Sequence, residues 1–205
     1  MKHLLRIDSS ILGEQSVSRR LTAAIVARLR AVAPDALVSH RDVAAEPLPQ
    51  FTGALAAGRA QSVEQRDPAT HRDIELLDAV LDEVLAADTI VIGAPMYNFA
   101  VPSQLKAWLD AIAVAGRTFR YTEKGPEGLL GHKRVIVASS RGGLYGADTP
   151  NASADHQESY LRVFFGFLGV RDLEIVRAEG VMMGAEVKER ALDSALRQAA
   201  LLEAA

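Results

Sequence analysis

The chain has 205 residues, of which 49% are hydrophobic, with a formal net charge of −3 and no cysteine. This length and composition predict one folded domain over residues 1–205 and exclude a disordered chain. The charge balance does not favour a nucleic-acid or membrane partner, and the missing cysteines exclude disulfides, thiolate-metal sites and a cysteine nucleophile. Arg6 and Asp8 interrupt the N-terminal apolar stretch, and no apolar run approaches the roughly 20 residues of a membrane span, so we expect a cytoplasmic protein.

The first predicted elements are a strand over His3–Ile7 and a helix from about Ser18 to Ala33, joined by a polar turn. Four serines lie in and around this turn: Ser9, Ser10, Ser16 and Ser18. A helix start has unpaired amides and a partial positive charge, and hydroxyls add donors. One serine would satisfy an N-cap, so the sequence favours a phosphate site over simple capping. The turn lacks both G-x-G-x-x-G and a Walker-type Gly-Lys-Ser, which favours a mononucleotide or flavin phosphate.

The next stretch is predicted to hold one strand, a long irregular connection and a helix. Ala36–Val43 has strand character, whereas Ala44–Pro68 is punctuated by prolines and glycines and is predicted to be loop-rich. Connections of this length often serve as lids or interface segments. His71–Ala86 then has the apolar pattern of an amphipathic helix.

The central stretch of the chain combines a buried strand with a loop that suits a planar ligand. Thr89–Gly93 is short, β-branched and without alternation, which predicts a buried parallel strand, and a helix begins at Ser103. Ligands bind at the carboxyl ends of such strands. The loop between them offers apolar area and hydrogen-bonding groups for a flat aromatic cofactor from Met96, Tyr97, Asn98 and Phe99. The alternative is a loop whose aromatics only cap the core.

A polar, glycine-punctuated excursion over Ala115–Leu129 precedes another buried strand at Arg134–Ser139. That strand ends in Ser140-Arg-Gly-Gly143, where two glycines permit close approach of the backbone to a ligand; a simple turn is the equally supported alternative. The remaining predicted elements are an aromatic-rich helix over Tyr160–Leu168, a strand over Asp172–Ala178 and a helix over Ala185–Ala204.

Five strand–helix repeats predict a doubly wound, five-stranded parallel sheet with helices on both faces. The loops after the first, third and fourth predicted strands of this sheet would meet at one end. Together they supply hydroxyls for a phosphate and backbone amides and aromatic surface for a ring, which a cofactor of FMN shape satisfies. The five histidines have no paired spacing, so we expect surface groups and no metal site.

Several motifs resemble those of the FMN-dependent NADH-azoreductases, also called NADH:quinone reductases. They are Ser9-Ser-Ile-Leu12 with Gln15-Ser-Val-Ser18, Pro95-Met-Tyr-Asn-Phe99, residues 115–128 and Ser140-Arg-Gly-Gly143, and the resemblance spans nearly the whole chain. It implies a flavodoxin-like fold and a homodimer with two tightly bound FMN molecules at the subunit interface. It also implies a ping-pong cycle in which NADH or NADPH reduces the flavin and a quinone or azo compound accepts two electrons. The flavin N5 atom, and no catalytic side chain, would carry that chemistry.

Carried over by position, the resemblance places the ribityl phosphate on Ser10, Ser16, Val17 and Ser18. It places the flavin ring on Met96, Tyr97, Asn98, Phe99, Ser140, Arg141, Gly142 and Gly143. The substrate-pocket candidates are Phe119, Tyr121 and Phe164, with partner-subunit residues contributing. Val17 departs from the family, where this residue is often polar, and would contribute only its backbone N–H.

Two cations and two rival functions complete the expectations. Arg120 and Arg141 are the cations best placed to meet an anionic substrate or cofactor; a solvated or interface ion pair is the alternative, and it is favoured for Arg120. A flavodoxin-type electron carrier without a substrate of its own is the first rival, although a charge of −3 is mild for an acidic docking surface. A colourless α/β protein, such as a phosphoesterase or an NAD-binding regulator, is the second.

Overall fold

The computed structural model describes residues 1–171 and 173–203. Its strands are β1 (His3–Asp8), β2 (Leu37–Asp42), β3 (Thr89–Pro95), β4 (Phe119–Thr122), β5 (Gly125–Gly128), β6 (Arg134–Ser140) and β7 (Leu173–Ala178). Its α-helices are α1 (Val17–Val32), α2 (Gly53–Ala60), α3 (Pro68–Ala86), α4 (Ser103–Ile112), α5 (Glu158–Phe167) and α6 (Ala185–Ala200).

The main sheet consists of five parallel strands in the order β2-β1-β3-β6-β7. β3 is buried along its whole length and pairs with β1 on one side and β6 on the other. The chain therefore winds outward from β1 to β2, then returns and continues in the opposite direction from β3. This confirms the predicted flavodoxin-like, doubly wound sheet. The winding direction changes between β1 and β3, and ligands bind beyond the carboxyl ends of the strands at such a point.

Helices cover both faces of the sheet, which explains why its strands are apolar without alternation. On one face, α3, α4 and α5 enclose a core that includes Leu5, Ile92 and Trp108. On the other face, α1 and α6 pack over Leu4 and Val91. Successive side chains of a strand point to opposite faces, so a strand between two apolar layers needs apolar residues at every position.

The connection predicted as loop-rich over Ala44–Pro68 contains an eight-residue helix, α2, so that prediction was wrong in part. Thr52 caps α2 by accepting a hydrogen bond from the Leu55 amide, and Leu55 is buried against the core. Glycines weaken the helical pattern in this stretch, and the helix is held by packing against α3 rather than by propensity. α3 itself begins at Pro68, three residues before the predicted start, because Asp67 accepts hydrogen bonds from the next free amides.

The polar excursion over residues 115–129 folds into an antiparallel hairpin of β4 and β5. The hairpin lies against the turn that follows α5, and contact there is so close that a Cβ on Gly128 would lie 2.1 Å from the Gly169 nitrogen. Only glycine permits this approach of two backbones. The sequence predicts a glycine-punctuated excursion here but no strands.

Predicted strand ends agree with the observed ones to within two residues wherever they are described. Asp172, the predicted start of the last strand, and Ala204, the predicted end of the last helix, lie outside the described residues. Within those residues, no helix is both long and apolar enough to cross a membrane.

Candidate cofactor site

Hydrogen bonds join the loops that follow β1, β3 and β6. The Met96 amide, just beyond β3, donates to the Ser140 carbonyl at the end of β6 over 2.8 Å. The Tyr97 hydroxyl lies 3.3 Å from both the Ser10 hydroxyl and the Ile11 amide in the turn after β1. The structure thus brings together the three loops that the sequence predicts to share a ligand.

The turn after β1 ends in a helix start with unpaired donors. Ser16 is the N-cap of α1, and its side chain accepts a hydrogen bond from the Arg19 amide. The Arg20 amide makes the first intrahelical bond, to the Ser16 carbonyl, so the amides of Val17 and Ser18 have no acceptor among the described residues. The buried hydroxyls of Ser16 and Ser18 are 3.1 Å apart. Two amides, two hydroxyls and the positive end of the helix dipole suit a phosphate.

The loop after β3 is a tight turn with strained backbone. Tyr97 and Ala100 exchange backbone hydrogen bonds of 3.0 and 3.1 Å, and the two residues between them, Asn98 and Phe99, have φ angles of +49° and +71°. Left-handed φ is uncommon for residues other than glycine and is costly for a bulky aromatic. The His156 amide donates to the Phe99 carbonyl over 3.1 Å and helps to hold the turn. The amides of Asn98 and Phe99 have no acceptor in the part of the chain that the structure describes.

Gly142 and Gly143, after β6, also present backbone amides without an acceptor among residues 1–171 and 173–203. Their carbonyls accept hydrogen bonds from the amides of Met182 and Gly180, over 3.1 and 2.9 Å. The loop is therefore held from behind while its donors stay available. Available donors are what a planar ring with carbonyl oxygens and ring nitrogens requires.

The side chain of Arg141 lies inside the protein and does not face the site. It is fully buried, and its guanidinium pairs with Asp155 at 2.8 Å, Glu158 at 2.7 Å and Glu179 at 3.1 Å. Its Nε also donates to Gln157 over 3.1 Å. The prediction that the cation of Arg141 meets an anionic substrate or cofactor is therefore wrong, because three carboxylates occupy its charge.

Arg120 is paired too, as the sequence favours. Its Nε lies 2.8 Å from Glu127, directly opposite on the β4–β5 hairpin, and the pair is solvent-exposed. A hydrogen bond from Arg120 lowers the pKa of Glu127, and the carboxylate in turn raises the pKa of Arg120. The pair belongs to the surface of the hairpin.

A cavity of about 950 Å³ opens beside Tyr97, near the upper limit of about 1,000 Å³ for ligand pockets. Its lining is mostly apolar and comprises Ile11, Tyr97, Asn98, Ala100, Val101, Pro102, Ser103, Gln104, Lys106, His156, Ser159, Tyr160 and Val163. The sequence did not predict Ile11, His156 or Tyr160 as site residues. Ile11 belongs to the serine-rich turn, but nothing in a single sequence shows that α5 lies beside it.

α5 adds two hydroxyl-bearing side chains to this cavity, those of Ser159 and Tyr160. Burial raises the pKa of Tyr160, and the nearby Asp110 adds to the effect while Lys106 opposes it. The shift favours the protonated phenol.

The three substrate-pocket candidates do not line the cavity of their own chain. Phe119 is buried, with its ring centroid 4.6 Å from that of Phe167, whereas Tyr121 beside it is 76% exposed. Phe164 is partly buried next to Tyr160, with the ring centroids 6.0 Å apart. The structure thus places Phe164 behind the cavity wall, and Phe119 and Tyr121 on the hairpin.

The described residues fit FMN at both of its ends. Free amides and hydroxyls at the start of α1 suit its phosphate. The apolar cavity suits its ring, with free amides on the Tyr97 loop and on the loop after β6, which the Met96–Ser140 hydrogen bond joins to it. Tyr97 joins the two parts, because its hydroxyl contacts the serine-rich turn and Tyr97 also lines the cavity.

A doubly wound parallel sheet with such a turn at its switch point defines the flavodoxin-like class, and residues 2–202 match the family model for the flavodoxin-like fold. An FMN-dependent NADH:quinone oxidoreductase from Sinorhizobium fredii is 58% identical over 94% of this chain and 93% of its own. One from Methylocella silvestris is 54% identical over 98% of this chain and 99% of its own. The crystal structure of an FMN-dependent NADH-azoreductase from Bacillus anthracis, in complex with FMN, superposes with a TM-score of 0.85 at 27% identity, covering 97% of this chain and 98% of that one. The chain therefore belongs to the flavodoxin-like family of FMN-dependent NADH:quinone oxidoreductases.

Proposed function

We propose that this protein is an FMN-dependent NAD(P)H oxidoreductase that reduces quinones and azo compounds by two-electron transfer. The observation that carries the proposal is the junction of three loops at Tyr97, with phosphate donors on one side and an apolar cavity on the other. The relatives at 54–58% identity, named FMN-dependent NADH:quinone oxidoreductases, support the same activity.

Each loop has a distinct role in holding the cofactor. Ser10, Ser16, Val17 and Ser18 bind the phosphate, Val17 through its amide alone. Met96, Tyr97, Asn98 and Phe99 cover the ring from one loop, and Ser140, Gly142 and Gly143 approach it from the other; Arg141 supports this second loop from the core. Held by these residues, FMN would supply the redox chemistry, which is hydride acceptance from NADH or NADPH and two-electron transfer to the acceptor. Fixed amides beside the ring stabilise negative charge that develops there, as in an oxyanion hole.

The cavity walls determine which acceptors react. Ile11, Val101 and Val163 line the cavity with apolar surface, which suits the faces of planar molecules. A wall of this kind discriminates weakly between flat apolar substrates, so quinones and azo compounds share one site. This shared site requires that the two substrates take turns, which is the ping-pong order.

The proposal includes a homodimer with the FMN sites at its interface, acting in the cytoplasm. Two apolar side chains that line the cavity, Ile11 and Val163, are exposed in the single chain, and so is Phe99 in the adjoining turn. A second copy that covers this patch would enclose the ring, and the exposed Tyr121 would reach the neighbouring site. Exposed apolar side chains beside a cavity are a feature of protein interfaces.

Steady-state kinetics tests the activity. We expect NADH oxidation by a benzoquinone to depend on added or bound FMN, and double-reciprocal plots at several quinone concentrations to be parallel. Intersecting lines would contradict a single shared site. An FMN-containing protein that turns over no NADH would favour the electron carrier, and a protein that takes up no FMN would contradict the proposal as a whole.

A further inference from the structure

Arg19, in the first turn of α1, holds both ends of the serine-rich turn at once. Its backbone amide donates to the Ser16 hydroxyl over 3.2 Å. Its guanidinium reaches back to the start of the turn, where Nε and Nη2 donate to the Ser10 carbonyl over 3.2 and 2.8 Å. One residue therefore fixes the separation of the two serines that flank the turn.

Asp42, at the end of β2, anchors the other side of the Arg19 guanidinium. One carboxylate oxygen accepts a hydrogen bond from Nη2 over 2.8 Å, and the other pairs with Nη1. Asp42 is fixed in turn, because its Oδ1 accepts the amides of Ala44 and Ala45, each over 3.1 Å. Two parallel bonds between a guanidinium and a carboxylate define direction as well as distance. The edge strand β2 is thereby coupled to the turn.

The charge of Arg19 is already matched by protein groups. Asp42 pairs with it directly, and the buried carboxylate of Asp8 lies 4.0 Å from Nη1. Asp8 has other partners, Arg6 at 2.6 Å and His40 at 2.9 Å. Every donor nitrogen of Arg19 has an acceptor, so the guanidinium is committed to the protein rather than to a ligand.

We propose that Arg19 is a positioning residue. Its paired bonds with Asp42 (the Arg19–Asp42 clasp) set the geometry of the phosphate-binding turn and so determine the preference for a phosphorylated flavin. The inference rests on the proposed function and deepens it. Its consequence is specific: weakening the clasp lowers the affinity for FMN, whose phosphate the turn binds, and spares riboflavin, which has the same ring and no phosphate.

The test compares both flavins on matched variants by titrating apoprotein and following flavin fluorescence. In Arg19→Met we expect FMN to bind about tenfold more weakly, the size of one lost charge-assisted hydrogen bond, with riboflavin affinity unchanged within about twofold. Arg20→Met is the control, since Arg20 is exposed, adjacent and without a side-chain partner among the described residues. It removes the same charge and should change neither affinity.

Two further variants separate the clasp from its charge and from misfolding. Arg19→Lys keeps the charge but cannot bond Ser10 and Asp42 in two directions, so it should lose most of the FMN affinity as well. Asp42→Asn weakens the anchor without altering the helix and should give a smaller loss of the same FMN-specific kind, even where Arg19→Met does not fold.

Equal weakening of FMN and riboflavin, or wild-type FMN affinity in both Arg19→Lys and Asp42→Asn, would overturn the inference. If the wild type binds FMN tightly and the variants bind it with the same affinity, only the role of Arg19 is refuted. A wild-type protein that binds neither flavin would refute the proposed function itself.

Discussion

Phe99 has a backbone conformation that an aromatic residue adopts at a cost, and the cost lies in the loop proposed to hold the flavin ring. At its φ of +71° an L-side chain crowds the following carbonyl, whereas glycine does not. We expect Phe99→Gly to be more stable than Phe99→Ala by about 0.5–1 kcal/mol in urea unfolding, the reverse of the usual order of the two residues. Both variants remove the ring, so its loss contributes equally to the two, and the difference between them reports strain against the entropy of the unfolded chain.

An alanine variant as stable as the glycine variant would show that the turn relaxes and stores no strain. Both variants should also bind FMN more weakly than the wild type, because they lose the same apolar surface. The sequence predicts Phe99 as a ring contact, but the strain depends on the turn closed by Tyr97 and Ala100, which a sequence pattern does not show.

Arg141 illustrates a residue whose position the sequence predicts and whose role it does not. The motif places it correctly after β6, but its direction depends on three carboxylates from distant parts of the chain, Asp155, Glu158 and Glu179. Sequence separation hides such a cluster, and only the fold brings it together.

Removing the Arg141 cation should therefore destabilise the fold rather than weaken a ligand contact. We expect Arg141→Met to lower the free energy of unfolding by about 3 kcal/mol, because it removes the buried cation that Asp155, Glu158 and Glu179 share and leaves Arg177 as the remaining ion-pair partner of Glu158. The control is Arg120→Met, which breaks an exposed pair and should leave stability unchanged within error. Equal effects of the two substitutions would contradict the buried cluster.

At the scale of elements, Asp42 at the end of β2 pairs with Arg19 in α1, and the stability that this pair contributes depends on pH. Partial burial disfavours the charged carboxylate of Asp42, but hydrogen bonds from Arg19 and the amides of Ala45 and Ala44 outweigh it and lower the pKa of Asp42 below its ordinary value of 3.8. A carboxylate with a lowered folded pKa contributes stability above the unfolded value, and that contribution is lost as the pH falls through the folded one.

The free energy of unfolding should thus be higher for the wild type than for Asp42→Asn at pH 7. This difference should shrink at a second pH, chosen below 3.8. Urea unfolding of both proteins at the two pH values measures it. Comparing the pair removes the contribution of the other carboxylates, which titrate in both. A difference that is the same at both pH values would contradict the role of the Asp42 charge.

The elements that the sequence predicts well are those with a strong apolar pattern. The elements that it does not predict have a weak one. β3 and β6 are buried on both faces, so their runs of apolar residues are unambiguous. α2 is short and contains two glycines, and the β4–β5 hairpin has strands of only four residues, so neither shows a clear apolar period. They are held by α3 and by the turn after α5, contacts that only tertiary structure supplies.

At the scale of the whole molecule, the exposed rim of the cavity predicts the assembly. Val163 lines the cavity and is 74% exposed in the single chain, so a homodimer across this face would bury it. We expect Val163→Asp to shift the protein from dimer to monomer in light scattering and to weaken FMN binding together with it. Leu201→Asp, at an equally exposed position near the end of α6, is the control and should stay dimeric. A dimeric Val163→Asp variant would place the interface elsewhere.

The three loops of the candidate site could be predicted from the sequence, whereas the part of the cavity that α5 lines could not. The alternation of strands and helices predicts a doubly wound parallel sheet, and in that topology the serine turn, the Tyr97 loop and the double glycine meet at one end. The α5 residues of the cavity and the Arg19–Asp42 clasp could not be predicted, since both depend on how separate elements pack.

The visible spectrum during an anaerobic titration tests the central claim most directly. The FMN-loaded protein should lose its flavin absorbance with one equivalent of NADH and recover it with one equivalent of a benzoquinone. Flavin absorbance that NADH leaves unchanged, or that the quinone fails to restore after bleaching, would contradict the account of this chain as an NADH:quinone oxidoreductase.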